Sequence, residues 1–375
     1  MLVTENKWEQ LNHNEQSVIR LIKSDPFISQ QELAGKLELS RPSVANLISG
    51  LVKKGYIRGK AYILNEENPV ICIGGANVDR KFYINGEVKF ATSNPVHSTQ
   101  NAGGVARNIG ENLGRLGKEV ILVTAGGSDA EWTFIEQASS PYMNVDYVAK
   151  FTKEATGSYT AVLDRSGELV IALADMDIYE QITPDILKNL APQMSQAACL
   201  MVDLNCPKEA LNYLIEFSRN QSIPVVFVAV SAPKMERLPE DLNGLTWLIT
   251  NRDETEAYFS IELKSNDQWR QAVEKWLSHG VENVVITNGA KGVMIGNDSE
   301  GIYHIPAIEL EEIVDVTGAG DAFSSAIIYA WLDGKSLPDS AKAGIANAAK
   351  TLQSPFTVRQ NLSSDQLFKD MEELS

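Results

Sequence analysis

The sequence predicts an α/β protein: a doubly wound parallel sheet with a small β lid, preceded by a separate helical module that ends in a hairpin. Three observations predict it. From Val70 onward, short continuous apolar runs alternate with helical stretches, the pattern of strands covered on both faces. Ahead of that point, apolar residues recur at helical spacing three times in quick succession. Charge divides at the same place. The whole chain carries −16, from 33 Lys+Arg against 49 Asp+Glu, yet residues 1–65 hold nine basic and six acidic side chains. The remainder is strongly acidic, so any polyanion partner is expected at the N-terminal module alone.

Several classes are excluded early. At 375 residues and 44% hydrophobic composition, the chain can bury one large core and carry an appendage. Its three cysteines, Cys72, Cys199 and Cys206, are too few and too irregular for a disulfide framework or a thiolate zinc site. The opening MLVTENKWEQLN is unlike a signal or transit peptide. No apolar run approaches the roughly 20 residues that span a bilayer. A soluble, cytoplasmic protein without membrane partners is the expectation.

In the first module, spanning 1–65, Asn14–Lys23 carries Val18, Leu21 and Ile22 on one face. Ser29 precedes Gln30–Leu37 with Glu32 three positions on, a capping box. Ser40 caps Pro42–Lys54, where Pro42 sits in the first turn and Val44, Leu47, Ile48 and Leu51 make the apolar stripe. Two short strands follow around an Arg58-Gly59-Lys60 turn. This order resembles a winged helix-turn-helix. Arg41, Lys53, Lys54, Arg58 and Lys60 lie in a stretch without acids, which suits a helix in the major groove and a wing on phosphate. A docking or dimerisation module with merely solvated charges is the competing reading.

After a polar linker at 65–69, the domain over 70–375 begins. Val70–Ile73, Val120–Val123, Cys199–Val202, Val225–Val230, Trp247–Ile249 and Val284–Ile286 read as buried strands. Phe82–Thr92 and Tyr159–Leu173 break the alternation and read as antiparallel hairpins, giving lid strands near 82–92 and 158–174.

The chemistry concentrates in glycine-rich segments. Asp315-Val316-Thr317-Gly318-Ala319-Gly320-Asp321 runs into an apolar helix from Ala322. Small residues let a backbone approach a ligand, and N–H groups at a helix start stabilise phosphoryl charge. Asp321 is then placed to accept a proton from an attacking hydroxyl, unless it is only a helix cap. Gly103-Gly104, followed by Asn108, opens a second helix, and Gly74-Gly75-Ala76-Asn77-Val78-Asp79 leaves the first strand at the edge where open α/β sheets bind ligands. Asp79 suits a pair of sugar hydroxyls, with Asn77 beside it; a simple Asx turn is the alternative. Gly334-Lys335-Ser336 is no P-loop, because Tyr329 stands where that loop needs glycine. GGANVD lacks dinucleotide spacing, and His13, His97, His279 and His304 are not metal-spaced.

GGVARNIGENLGRLG and DVTGAGDAF resemble the two signatures of the ribokinase-like (PfkB) carbohydrate and nucleoside kinases, in the right order and some 210 residues apart. The resemblance implies a ribokinase-like, Rossmann-type domain with a small β lid, which transfers the ATP γ-phosphate to a primary hydroxyl with Mg²⁺ and often K⁺. It makes Asp321 the general base and Gly318, Ala319 and Gly320 the anion hole. Asn77, Asp79, Gly103, Gly104, Asn108 and Asn205 would hold the substrate. Asn251, Thr287, Gly289, Gly292 and Asn347 would serve ATP, and Glu254 would order water on Mg²⁺. Asp315 and the carbonyl of Thr317 match the monovalent-cation loop.

Ser158–Asp164, Gly167–Met176, Asp203–Asn205 and Val230–Lys234 are similar to the lid and neighbouring segments of pseudouridine kinases. That implies phosphorylation of the 5′-hydroxyl of pseudouridine or a related nucleoside. A ribokinase- or fructokinase-like sugar kinase remains open, as does a transcriptional regulator whose kinase fold senses a ligand. Gly126-Gly127-Ser128-Asp129 departs from the commoner Gly-Asp-Asp run. Lid strands with free edges also point to a homodimer.

Overall fold

The computed structural model describes residues 11–25, 28–58, 63–64 and 68–373. Two compact units emerge, one of Met1–Asn68 with Asn189–Ala197 and one of Pro69–Lys188 with Ala198–Ser375.

The first unit opens with α1 (His13–Ser24), whose N-cap Asn12 and Glu15 form a capping box. A second such box, Ser29 with Glu32, starts α2 (Gln30–Leu37), and Ser40 caps α3 (Arg41–Lys53) with a proline in its first turn. Val18, Ile22, Leu33, Val44, Leu51 and Ile57 are buried together, each contributing about 1.5–3 kcal/mol over exposure. β1 (Ile57–Arg58) pairs antiparallel with β2 (Ile63–Leu64). Arg41 and Lys53 are exposed. Lys54 is not a free cation: its ammonium donates to Glu15 Oε1 at 2.7 Å, so part of its charge is spent inside the module. Lys60 and the side chain of Arg58 lie outside the described residues.

In the second unit β3 (Val70–Ile73) is buried throughout, and β4 (Asn77–Ile84) and β5 (Val96–Gly103) lead to α4 (Val105–Arg115). Next come β6 (Val120–Val123), β7 (Ala125–Gly127), α5 (Ala130–Ser139) and β8 (Ala149–Phe151). The hairpin β9 (Ser158–Leu163) and β10 (Leu169–Asp175) precedes α6 (Pro184–Asn189), and α7 (Ala191–Met194) falls in the segment grouped with the first unit. Alternation then resumes with β11 (Cys199–Asp203), α8 (Lys208–Gln221), β12 (Val225–Val228) and β13 (Trp247–Asn251). It continues through α9 (Arg252–Phe259), α10 (Asn266–Ser278), β14 (Asn283–Thr287), β15 (Val293–Asn297) and β16 (Gly301–Ile305). The last helices are α11 (Ala319–Leu332), α12 (Leu337–Leu352) and α13 (Ser364–Glu373).

The main sheet has the order β16-β15-β14-β13-β12-β11-β3-β6. Six strands, β14 to β6, run parallel, while β15 and β16 add antiparallel at one edge, so the sheet is mixed. A smaller sheet has the order β10-β9-β4-β5. Its first hairpin is placed differently from the expectation at 82–92. β4 begins at Asn77 and the return strand starts only at Val96. Residues 85–95 connect them, closed by Asn85 N–H to Pro95 O at 3.0 Å and by the Asn94 amide, which bridges both backbone groups of Lys89. The second hairpin pairs 158–163 with 169–175, and parallel pairing of β4 with β9 joins the two into one sheet.

Candidate active site

Because β3, β11, β12, β13 and β14 run parallel, their carboxyl ends fall on one edge of the sheet. With strands about 4.8 Å apart, the ends of β3 and β14 are separated by roughly 19 Å, room for an extended ligand.

A carboxylate that the sequence reading left without a role organises the β3 end of this edge. Asp203, the last residue of β11, is fully buried. Its Oδ2 accepts the N–H of Gly75 at 2.8 Å and of Ala106 at 2.9 Å, and Oδ1 accepts the N–H of Asn205 at 2.9 Å. One side chain thus ties together the loop after β3, the start of α4 and the loop after β11. Burial pushes its carboxyl up, opposed by those three N–H bonds. Gly104 is required here: its φ is +97°, and a Cβ would lie 2.4 Å from Gly75 O. A Cβ on Gly103 would stand 2.0 Å from Asp79 Oδ2.

The expected substrate residues meet around this knot. Asn77 donates from Nδ2 to Asp79 Oδ1 at 2.6 Å. Burial pushes the Asp79 carboxyl up to about 6, against the opposing pull of Asn77, Lys81 and Arg107. Asn205 is buried with Nδ2 beside Gly75, and its carbonyl accepts from Arg237 at 2.7 Å.

α4 and α11 start at Gly104 and Gly318, and neither has a side-chain cap, unlike α1, α2, α3, α5, α9, α10 and α12. In α4 the first turn is spent inside the protein, Ala106 N–H on Asp203 and Arg107 N–H on Gly75 O at 3.1 Å, whereas the start of α11 stands open to a ligand, its dipole favouring an anion. Gly318 needs its φ of +83° and has no room for a Cβ, which would lie 2.2 Å from Thr357 O. A Cβ on Gly320 would meet nothing within 4 Å, so the helix start faces open space. The helix begins three residues earlier than expected, at Ala319, which puts Asp321 in its first turn.

Asp321 accepts at Oδ2 from Asn108 Nδ2 at 2.8 Å. Asn108 Oδ1 in turn accepts from the buried guanidinium of Arg107 at 3.1 Å, and Arg107 is paired with Glu111. Removal from water pushes the Asp321 carboxyl up to about 7; the Asn108 bond and Arg107 oppose this, while Asp203 and Asp79 add to it. A carboxyl near 7, aimed from an electropositive helix start, is equipped to take a proton from a hydroxyl.

At the β13 and β14 end, Asn251 caps α9 and Glu254 completes the box. Glu254 accepts twice at Oε2, from Asn251 N–H at 2.8 Å and Thr250 Oγ1 at 3.1 Å, and burial pushes its carboxyl up. Thr287 stands beside Asn251 in register, and Gly289 (φ +51°) and Gly292 (φ +93°) shape the turn that follows. Asp129 caps α5 and binds Thr156 N–H and Oγ1 at 2.8 and 2.7 Å, so the departing Gly-Gly-Ser-Asp run has an internal role.

Two expectations are corrected. Asn347 has no exposed surface: it donates to Asn112 Oδ1 at 3.1 Å and Ala322 O at 2.8 Å and accepts from Arg359 at 3.0 Å. It pins α12 to α4 and α11 and leaves nothing for an adenine. Of the pair expected to hold K⁺, Asp315 and the Thr317 carbonyl, the carboxylate already holds a cation, the ammonium of Lys81 at 2.6 Å, which also meets the Thr317 hydroxyl at 3.1 Å, so the residues present do not fit a K⁺ site there.

Among the described residues no helix is long and apolar enough to cross a membrane, and no group of three or more His, Cys, Asp or Glu side chains could hold a metal ion. A sugar kinase of Escherichia coli K12, YeiI, itself uncharacterised, is 29% identical over 356 residues, covering 95% of this chain and 98% of its own. The pseudouridine kinase of the same organism is 30% identical over 301 residues, 80% of this chain and 95% of its own. A carbohydrate kinase structure from Agrobacterium tumefaciens superposes with a TM-score of 0.73 at 32% identity, covering 82% and 98% of the two chains. A ribokinase from Arabidopsis thaliana, complexed with ribose and ATP, gives 0.73 at 20% identity over 82% and 99%, a likeness of fold. Residues 11–58 match the winged helix-turn-helix DNA-binding family and residues 68–362 the pfkB family of carbohydrate kinases. The second match runs through every glycine loop of the edge and through both Asn108 and Asp321, and on that basis the chain belongs to the pfkB carbohydrate kinase family.

Proposed function

We propose that this kinase transfers the γ-phosphate of ATP to the 5′-hydroxyl of a nucleoside, pseudouridine first among them. The observation that carries the reading is the Asn108–Asp321 hydrogen bond at the uncapped start of α11. Asp79 and Asn77 hold a pair of ribose hydroxyls, with Gly103, Gly104, Asn108 and Asn205 closing round the sugar. The acceptor hydroxyl then lies against Asp321, which takes its proton late in a loose transition state. The N–H groups of Gly318, Ala319 and Gly320 neutralise the moving phosphoryl group. Asn251, Thr287, Gly289 and Gly292 line the nucleotide end.

Mg²⁺ supplies charge neutralisation between the phosphates. With no carboxylate cluster among the described residues, it would be held mainly by phosphate oxygens and water, and Glu254 would reach it through water. The 30% identity to a pseudouridine kinase supports the acceptor. A panel of pseudouridine, uridine, inosine, ribose and fructose, scored by ADP release, tests it. Faster turnover of ribose or fructose would replace it with a sugar kinase.

The N-terminal module is assigned to DNA, with Arg41 and Lys53 exposed on α3 and Arg58 and Lys60 as further cations expected from the sequence. Salt-sensitive retention of duplex DNA, weakened by Arg41→Ala, is expected; no retention at low salt would make it a docking module. A homodimer through the small sheet is supported by Leu169, Ile171 and Leu173, which are 58%, 50% and 56% exposed on the edge strand β10. Sedimentation of Ile171→Lys against the parent chain tests it. The protein acts in the cytoplasm on this reading.

A further inference from the structure

Lys81 lies on β4, two residues beyond Asp79 and on the same face of that strand. Its ammonium donates to Asp315 Oδ2 at 2.6 Å and to Thr317 Oγ1 at 3.1 Å. Asp315 Oδ1 accepts the N–H and hydroxyl of Thr317 at 2.9 and 2.7 Å, which folds the turn on itself just before Gly318. Burial alone would raise the Asp315 carboxyl, but the bonds from Lys81 and Thr317 outweigh it and hold the group below its ordinary value. The two side chains are 24% and 29% exposed, so the pair is only partly screened by water.

The turn therefore has a cation of its own. An ammonium group and a potassium ion carry the same charge and are close in size, and both seek a carboxylate and a neighbouring oxygen. We propose that Lys81 does from within the chain what a bound monovalent cation would otherwise do: it fixes the 315–318 turn so that the N–H groups of Gly318–Gly320 are aimed. The kinase then needs no added potassium. Because Lys81 belongs to the small sheet, the same bond ties the strand carrying Asp79 to the phosphoryl-binding turn. The inference rests on the assignment of those N–H groups to the phosphoryl group.

The test compares the parent enzyme with Lys81→Met and Lys81→Arg in tetramethylammonium, sodium, potassium and ammonium chloride at constant ionic strength. Rates are read by ADP release and folding by the thermal midpoint in each salt. The parent is expected to vary by less than about twofold across the salts, with a flat midpoint. Lys81→Met is expected to lose about tenfold or more in tetramethylammonium and to regain much of it with potassium or ammonium, its midpoint rising in the same salts. Lys81→Arg keeps the charge and should stay indifferent to salt.

Potassium activation of the parent would overturn the proposal. So would a full rate for Lys81→Met in tetramethylammonium, or a loss that no salt restores. If Lys81→Met does not fold, potassium dependence of the parent or of Lys81→Arg overturns the proposal, and indifference of both supports it. A parent inactive on every acceptor would count against the proposed reaction, while the midpoints would still report on Lys81.

Discussion

Asn108 and Asp321 stand 213 positions apart in the chain, yet the amide of the first donates to the carboxylate of the second at 2.8 Å. The bond favours the ionised carboxylate, so Asn108 counteracts the burial that raises Asp321. Asn108→Ala should therefore lower kcat by about 10- to 100-fold and move the acidic limb of the kcat profile upward from about pH 7. Rates measured from pH 5.5 to 9 decide it; a lower rate with an unmoved limb would leave Asn108 as a substrate contact only.

Asp321→Asn should cost turnover on the order of a thousandfold while making the protein more stable in base. The folded carboxyl titrates near 7 against an ordinary 3.8, so the folded state holds the proton more tightly. Stability from this group is complete below about 4 and is lost as pH rises through about 7. An uncharged amide escapes that loss, a gain of ~1–3 kcal/mol at pH 8 and little at pH 4. Urea unfolding at the two pH values measures it.

Asp203→Ala removes one acceptor and leaves the N–H groups of Gly75, Ala106 and Asn205 without it. A destabilisation of about 3 kcal/mol or more is expected, with a higher KM for the acceptor as the loops part. Asp203→Asn, which keeps one carbonyl oxygen, should lie between the two. Thermal melts and acceptor KM separate these outcomes.

Two glycines of similar neighbourhood should respond in opposite ways. Gly104→Ala forces a Cβ to within 2.4 Å of Gly75 O at a φ of +97° and should cost several kcal/mol, on the order of 2–4. Gly320→Ala meets no protein atom within 4 Å and sits in a helix, so folding should gain up to about 1 kcal/mol. Its methyl group would enter the space assigned to the phosphoryl group, and turnover should fall although the melt does not.

What was readable in the sequence was what rests on local chemistry. The partners of the box Ser29–Glu32 are three residues apart, and the buried strands are unbroken apolar runs. The glycine loops announce themselves because a backbone that must approach another backbone tolerates little else. The remainder depends on partners distant in sequence. Asp203 contacts segments 97 and 128 residues away, so the residue most central to the sheet edge had no local signature. Lys81 and Asp315 are 234 apart, and Lys54 meets Glu15 across 39. The strand 77–84 begins before the expected 82 because Asp79, Arg80 and Lys81 form a polar run with no strand signature, and Asn347 is hidden because a polar residue inside a helix gives no hint of three internal partners.

The junction at Asp203 separates two kinds of heritable change. The frame is set by main-chain N–H groups converging on one carboxylate and by glycines without room for a side chain. The groups we propose to discriminate between acceptors, at 77, 79 and 205, are side chains carried on that frame. Replacing them alters what is read without moving where it is read, so a lineage with this architecture can exchange one hydroxylated acceptor for another by few substitutions and keep its transfer geometry intact.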